Sequence, residues 1–159
     1  MTTLKIFASL LFITATLACS KSATDNSVTP VSAGVVTAQV DGQPFASEQA
    51  TSTYNKVSKD LTLLGYNGIH MMGFTLEKFS GPAVFPLVDI SKTGSTGSYV
   101  DVKTNANYTI RDGRSGTVTV TKFDGATIEG TFSMTTYNTQ QKREVVVSNG
   151  TFKMQVESI

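Results

Sequence analysis

His70 is the only histidine in the chain, so no histidine-rich metal site can be assembled and one imidazole is left for acid–base work. In Ile69-His70-Met71-Met72-Gly73-Phe74-Thr75-Leu76 it shares a strand face with Met72, Phe74 and Leu76. That setting predicts a partly buried, hydrogen-bonded histidine at a strand end rather than a catalytic base. A serine nucleophile would need a sharp strand-to-helix turn. Gly113-Arg114-Ser115-Gly116 lacks the glycine two residues after the serine and no helical pattern follows, so it reads as a hairpin turn. Lys92-Thr93-Gly94-Ser95-Thr96-Gly97-Ser98 is glycine-rich, but its lysine stands at the wrong end for a phosphate loop and no helix N-terminus follows; it reads as a flexible loop. Asp89 and Asp101 flank that loop and would meet if their strands paired, in a geometry open to calcium; solvated surface acids are the plainer reading. With no Trp in the chain, a sugar-stacking platform would fall to Tyr54, Tyr66, Tyr99, Tyr108 or Tyr137, residues that at strand positions more often pack with a wet hydroxyl. No catalytic set, metal site or cofactor is implied.

The N-terminus is more specific. Lys5 precedes an apolar run from Ile6 to Ala15, and small residues follow up to Cys19, the layout of an export signal. A run of about ten residues is too short to cross a bilayer, which takes about 20. Thr16-Leu17-Ala18-Cys19 resembles the lipobox of bacterial lipoproteins, departing from it in having Thr where Leu is usual and Leu where a small residue is usual. The resemblance implies cleavage after residue 18 and acylation of Cys19, palmitate included. Three acyl chains exceed the two membrane signals that stable anchoring needs. Cys19 is also the only cysteine, so an acylated thiol leaves neither a Cys–His dyad nor an internal disulfide. Ser20 rather than Asp after the Cys favours the outer membrane by the same resemblance. Ser20-Lys21-Ser22-Ala23-Thr24-Asp25 carries one acid, not the acidic cluster of many surface lipoproteins, so periplasmic and surface leaflets both stay open.

Residues 19–33 are rich in Ser, Thr, Ala and Asn, lack aromatics and include Pro30, a composition that reads as a tether. Loss of Lys5 with the signal brings the 13 basic side chains level with the 12 acidic ones. No electrostatic case for nucleic acid exists. Lys142-Arg143 is the longest basic run and reads as a solvated hairpin tip. The remaining residues 34–159, about 125 in all, make one domain of ordinary size.

From Gly34 onward, short runs of Val, Thr, Phe and Tyr are punctuated by Gly, Asn and Asp. This predicts an all-β fold, an antiparallel barrel or sandwich of about 8–10 short strands. The runs are 34–40, 44–53, 60–66, 69–77, 83–90, 97–104, 107–111, 115–122, 126–137 and 144–156. A two-residue Asp124-Gly125 turn would set Val118 and Val120 opposite Thr131 and Glu129. A three-residue loop, Phe123-Asp124-Gly125, closes Lys122 on Ala126 and puts both valines on the face of Ile128, Phe132 and Met134, with Gly125 left-handed. Val146, Phe152, Met154 and Val156 share a parity, so residues 115–156 are expected to form a meander with one buried face.

The ordered set Val40-Asp41-Gly42 with Phe45, Gly97-Ser98-Tyr99, Ser115-Gly116-Thr117-Val118-Thr119-Val120-Thr121, Ile128-Glu129-Gly130-Thr131-Phe132 and Asn149-Gly150-Thr151-Phe152 resembles a family of Bacteroidetes lipoproteins of unknown function. The resemblance implies a lipid-anchored antiparallel β domain and supplies no activity, substrate or site residue. The expected function is non-enzymatic binding at the envelope, of an apolar small molecule inside the β structure or of another envelope component on its face. A structural subunit of a surface assembly and a carboxylate-dependent hydrolase are the alternatives.

Overall fold

A computed structural model describes residues 34–159; the expected signal segment, Cys19 and the expected tether lie outside the described residues. The described chain is all β, with eleven strands: β1 Val35–Val40, β2 Gln43–Ala46, β3 Gln49–Asn55, β4 Asp60–Tyr66, β5 His70–Leu76, β6 Val84–Leu87, β7 Thr96–Asp101, β8 Ala106–Thr109, β9 Gly116–Phe123, β10 Thr127–Asn138 and β11 Arg143–Ser158. The run 44–53 is two strands. At Ser47 the chain is still bonded to Val36, but the Glu48 N–H donates to the Tyr66 carbonyl at 2.8 Å, so pairing passes from β1 to β4 between these residues. A continuous hydrophobicity pattern does not register such a change of partner.

The strands form one mixed, mostly antiparallel sheet that closes on itself. β11 pairs with β10 along one edge. Its other edge takes β1 antiparallel and then β3 parallel, from Val156 opposite Ser52 to Ser158 opposite Tyr54. From β3 the order runs β4, β5, β7, β8 and returns to β10 through Tyr137 opposite Thr109. β1–β2 and β9–β6 are flaps on this ring, and β2 and β6 are its free edges. Each free-edge strand carries an exposed proline, Pro44 and Pro86. Val40 and Gln43 close a two-residue hairpin and Ala83 accepts the Val120 N–H at 2.9 Å. Alternation of bonded and non-bonded pairs then turns the nitrogens of Pro44 and Pro86 outward, where a donor would otherwise be free.

The C-terminal meander is present, and Val118, Val120, Ile128, Phe132 and Met134 are all buried. The turn that aligns them is longer than the three-residue loop. Phe123 pairs with Ile128, Asp124 Oδ1 takes the N–H groups of Ala126 and Thr127 at 3.0 and 2.7 Å, and a shift next to Glu129 leaves Thr121 unpaired before Val120 meets Gly130. A bulge thus restores the facing that a shorter loop would have set. Gly125 has φ +89°, and a Cβ there would meet nothing within 4 Å. Gly125→Val is therefore expected to cost about 1 kcal/mol through backbone strain alone, read as a lower denaturation midpoint with unchanged slope; a neutral result would contradict this turn.

Val146 departs from expectation: it is 43% exposed, while Val145 and Val147 are buried. The register of β11 shifts between Gly150 and Val147, with Asn149 at φ +52°. One extra residue reverses the parity upstream, so Phe152 and Met154 remain inward and Val146 turns out.

The core is filled. Val36, Leu63, Phe74, Phe132, Phe152 and Met154 pack with no space for a water molecule between them. Two Gly-Thr-Phe segments meet antiparallel at its centre, Gly130 opposite Phe152, Thr131 opposite Thr151 and Phe132 opposite Gly150. Each phenyl ring lies over the glycine of the other strand, within 2.6 Å of where a Cβ would sit. At one end of the ring of strands, Phe79 is buried against Tyr54, Phe85 and Phe123 at centroid distances of 6.0, 5.8 and 5.0 Å. It belongs to no strand and plugs the opening. Ile159 bonds Tyr54 and Lys56 at the same end. β1 starts there too, with Val35 opposite Lys153.

Candidate binding cleft

The β1–β2, β4–β5, β7–β8 and β10–β11 turns gather at the end opposite Phe79, and a cleft of about 230 Å³ opens between them. Its walls are Val40, Pro44, Phe45 and Val145 with the rings of Tyr99, Tyr108 and His70; its polar groups are Asp41, Gln43, Asp101, Arg143, His70 and the tyrosine hydroxyls. The volume lies just below the usual range for small-molecule pockets, and the mixture of apolar wall and few converging polar groups is the usual one.

Asp41 and Gly42 have φ +48° and +80°, the conformation of a type I′ hairpin turn. The turn aims the Asp41 carboxylate at β11, where Oδ1 accepts the Val146 N–H at 2.9 Å and Oδ2 the Arg143 guanidinium at 2.9 Å. That hydrogen bond, with the nearby Tyr108 hydroxyl, pushes the Arg143 pKa upward. Tyr108 donates in turn to Gln141 Oε1.

His70 opens β5, half-buried, with Asp101 directly across on β7. Its ring lies tilted on Tyr99, 5.4 Å between centroids. It shares the inward face with Met72, Phe74 and Leu76 as expected, but among the described residues its imidazole has no hydrogen-bond partner. The tight turn after Asn67 explains this: Asn67 Oδ1 takes the His70 backbone N–H at 2.7 Å, which fixes the backbone and leaves the ring to the cleft. The Thr104 hydroxyl, helped by the Thr104 N–H at 3.2 Å, holds the Asp101 carboxyl below its ordinary range. Burial pushes the Tyr99 hydroxyl up to about 12, and the Asp101 charge adds to it. Tyr99 therefore stays a proton donor throughout the physiological range.

Asp89 and Asp101 do not meet. Asp89 accepts from Ser91 at 2.9 Å and from the Asp112 N–H at 3.1 Å, beside the loop that leads into β7, whereas Asp101 ends that strand. Among the described residues no group of three His, Cys, Asp or Glu side chains is placed to hold a metal ion. Gly113-Arg114-Ser115-Gly116 lies in a turn, but not a hairpin: β8 and β9 both pair with the same edge of β10, end to end, and are joined by an excursion. Arg114 leaves that turn to pair with Glu144 at 3.0 Å and to cover the Tyr137 ring at 4.2 Å. The residues 92–98 start as a loop and enter β7 at Thr96. Of the tyrosines, Tyr99 and Tyr108 line the cleft, Tyr54 packs on the Phe79 plug, and Tyr66 donates to the Gly68 carbonyl at 2.9 Å.

Sequence reading missed Asp41 and Arg143, whose contact joins residues 102 apart. Asp41-Gly42 carried a turn signal, but nothing local pointed its carboxylate at Arg143. No curated protein and no solved structure is found to match the chain. A family model described as Domain of unknown function (DUF6252) matches residues 32–155, most of the chain, and the protein belongs to that family.

Proposed function

We propose that this is a lipid-anchored protein of the bacterial envelope, held through acyl chains on Cys19, most simply in the outer membrane, and that it works by binding an envelope component at the cleft. The position of the cleft carries this reading. β1 leaves Gly34 at the plugged end and reaches Asp41 at the cleft, so a tether running from Cys19 to Gly34 would present the cleft away from the bilayer. The filled core supports recognition at the end of the sheet over carriage of an apolar molecule inside it.

The anchor and the binding are tested separately. Cys19→Ser is expected to abolish metabolic labelling with a fatty acid and to leave unprocessed precursor or soluble protein; unchanged labelling would refute the anchor. For binding, the purified full-length protein is assayed against hydrolase substrates and, in parallel, for envelope lipids, glycans or proteins that co-purify with it. A retained component lost in Arg143→Ala supports the reading. Robust turnover abolished by His70→Ala or Asp101→Asn would overturn it in favour of catalysis.

A further inference from the structure

The polar groups of the cleft fall into two sets. Arg143 gives one N–H to Asp41, whose carboxylate also accepts from the backbone of Val146. Their charges cancel. On the other wall, the His70 imidazole and the Tyr99 hydroxyl have no hydrogen-bond partner among the described residues, and Asp101 keeps lone pairs beyond those it gives to Thr104. His70 and Asp101 are cross-strand partners, which sets their Cβ atoms about 5 Å apart. Among the carboxylates and the guanidinium that line the cleft, the uncompensated charge is that of Asp101.

A carboxylate and an imidazole presented together, with a phenol beside them, ask for a ligand rich in N–H donors and positively charged. Arg143 gives one N–H to Asp41 and keeps others exposed, but an anion taking them would lie among the carboxylates of Asp41 and Asp101, two negative charges against one positive. The apolar wall of Pro44, Phe45 and Val145 suits the methylene stem that a flexible cationic group carries. We propose that the cleft receives a primary ammonium or guanidinium group, its N–H donors shared among Asp101, His70 and the Tyr99 hydroxyl oxygen and its stem along that wall. This rests on reading the protein as a binding module. A free alkylamine and the side chain of a lysine or arginine on an envelope protein present the same chemistry.

The test is a titration of isotopically labelled full-length protein, followed by the His70 and Tyr99 ring resonances. The probes are n-butylamine, the blocked tripeptide acetyl-Gly-Lys-Gly-amide, and butyrate as an anion of matching length. Saturable shifts are expected with both cations and none with butyrate, and tighter binding of the peptide or of the free amine identifies the source. Asp101→Asn is expected to weaken binding about tenfold, the loss of one charge-assisted hydrogen bond. Because Asp101 also holds the Thr104 turn, Tyr99→Phe serves as a second variant: it keeps the ring and the melting temperature and is expected to weaken binding several-fold, about 1 kcal/mol by the same conversion. Butyrate binding as tightly as butylamine, absence of saturation with either cation, or wild-type affinity in both variants would overturn the proposal. If the cations fail while a co-purifying component is still lost in Arg143→Ala, the amine inference falls and the binding reading stands.

Discussion

Alanine in place of Gly130 is expected to destabilise the domain by about 3 kcal/mol, near the upper end of the usual cost of overpacking a core. The added methyl would stand 2.2 Å from the Thr119 carbonyl oxygen and 2.5 Å from Cζ of Phe152. A backbone oxygen in the hydrogen-bonded ladder cannot step aside without opening the β9–β10 pairing. Gly150→Ala differs instructively, because the nearest atoms are all in the Phe132 ring, at 2.5–2.6 Å. Shortening that ring should relieve the clash, so Phe132→Leu is expected to recover part of the Gly150→Ala loss, while Phe152→Leu recovers little of the Gly130→Ala loss. Denaturant unfolding of the two double-mutant cycles measures the difference. A Gly130→Ala cost below about 1 kcal/mol would mean that the two strands do not meet in the register described.

Phe79→Ala carries the other large expected effect, about 4 kcal/mol, in the range for removing a buried phenyl ring. Phe79 is 2% exposed although it lies in a connection between strands. Its backbone N–H donates to the Lys59 carbonyl, which holds the connection across the opening. Truncation leaves Tyr54, Phe85 and Phe123 facing a void. Since the plug is at the far end from Asp41 and Arg143, the variant should lower the melting temperature by on the order of 10 °C and leave ligand shifts at Tyr99 unaltered below the transition. A loss of less than about 1 kcal/mol would show that the end of the sheet stays closed without the ring.

These two features differ in how far the sequence announced them. The repeated Gly-Thr-Phe was visible, and so was the alternation that buries Val118, Val120, Phe132 and Phe152; period-two patterning is a local property and survives into the fold. What local pattern could not carry were the residues that change parity or partner. Asn149 inserts a bulge, which turned Val146 outward. Ser47 and Glu48 hand the chain from one neighbour to another inside an unbroken strand-like run. Phe79 looks like any loop aromatic until the closed ring gives it an opening to fill. The cleft was half legible: His70 and Asp101 were singled out, but Asp101 was matched with Asp89, its neighbour across a loop, rather than with His70, its neighbour across the sheet. Pairing of β5 with β7 skips β6, which leaves to join β9, and no spacing rule recovers a skipped strand.

The outward-turned nitrogens of Pro44 and Pro86 matter most if the chain lives, as proposed, on a lipid surface. Anchored molecules share two dimensions instead of three, stand in a common orientation, and meet their neighbours repeatedly with the same flanks presented. Strand edges brought together in that way would zip into ribbons at a density harmless in free solution. A missing N–H on each free edge interrupts the ladder at its first rungs, so the population can be crowded and still remain individual molecules with their clefts clear.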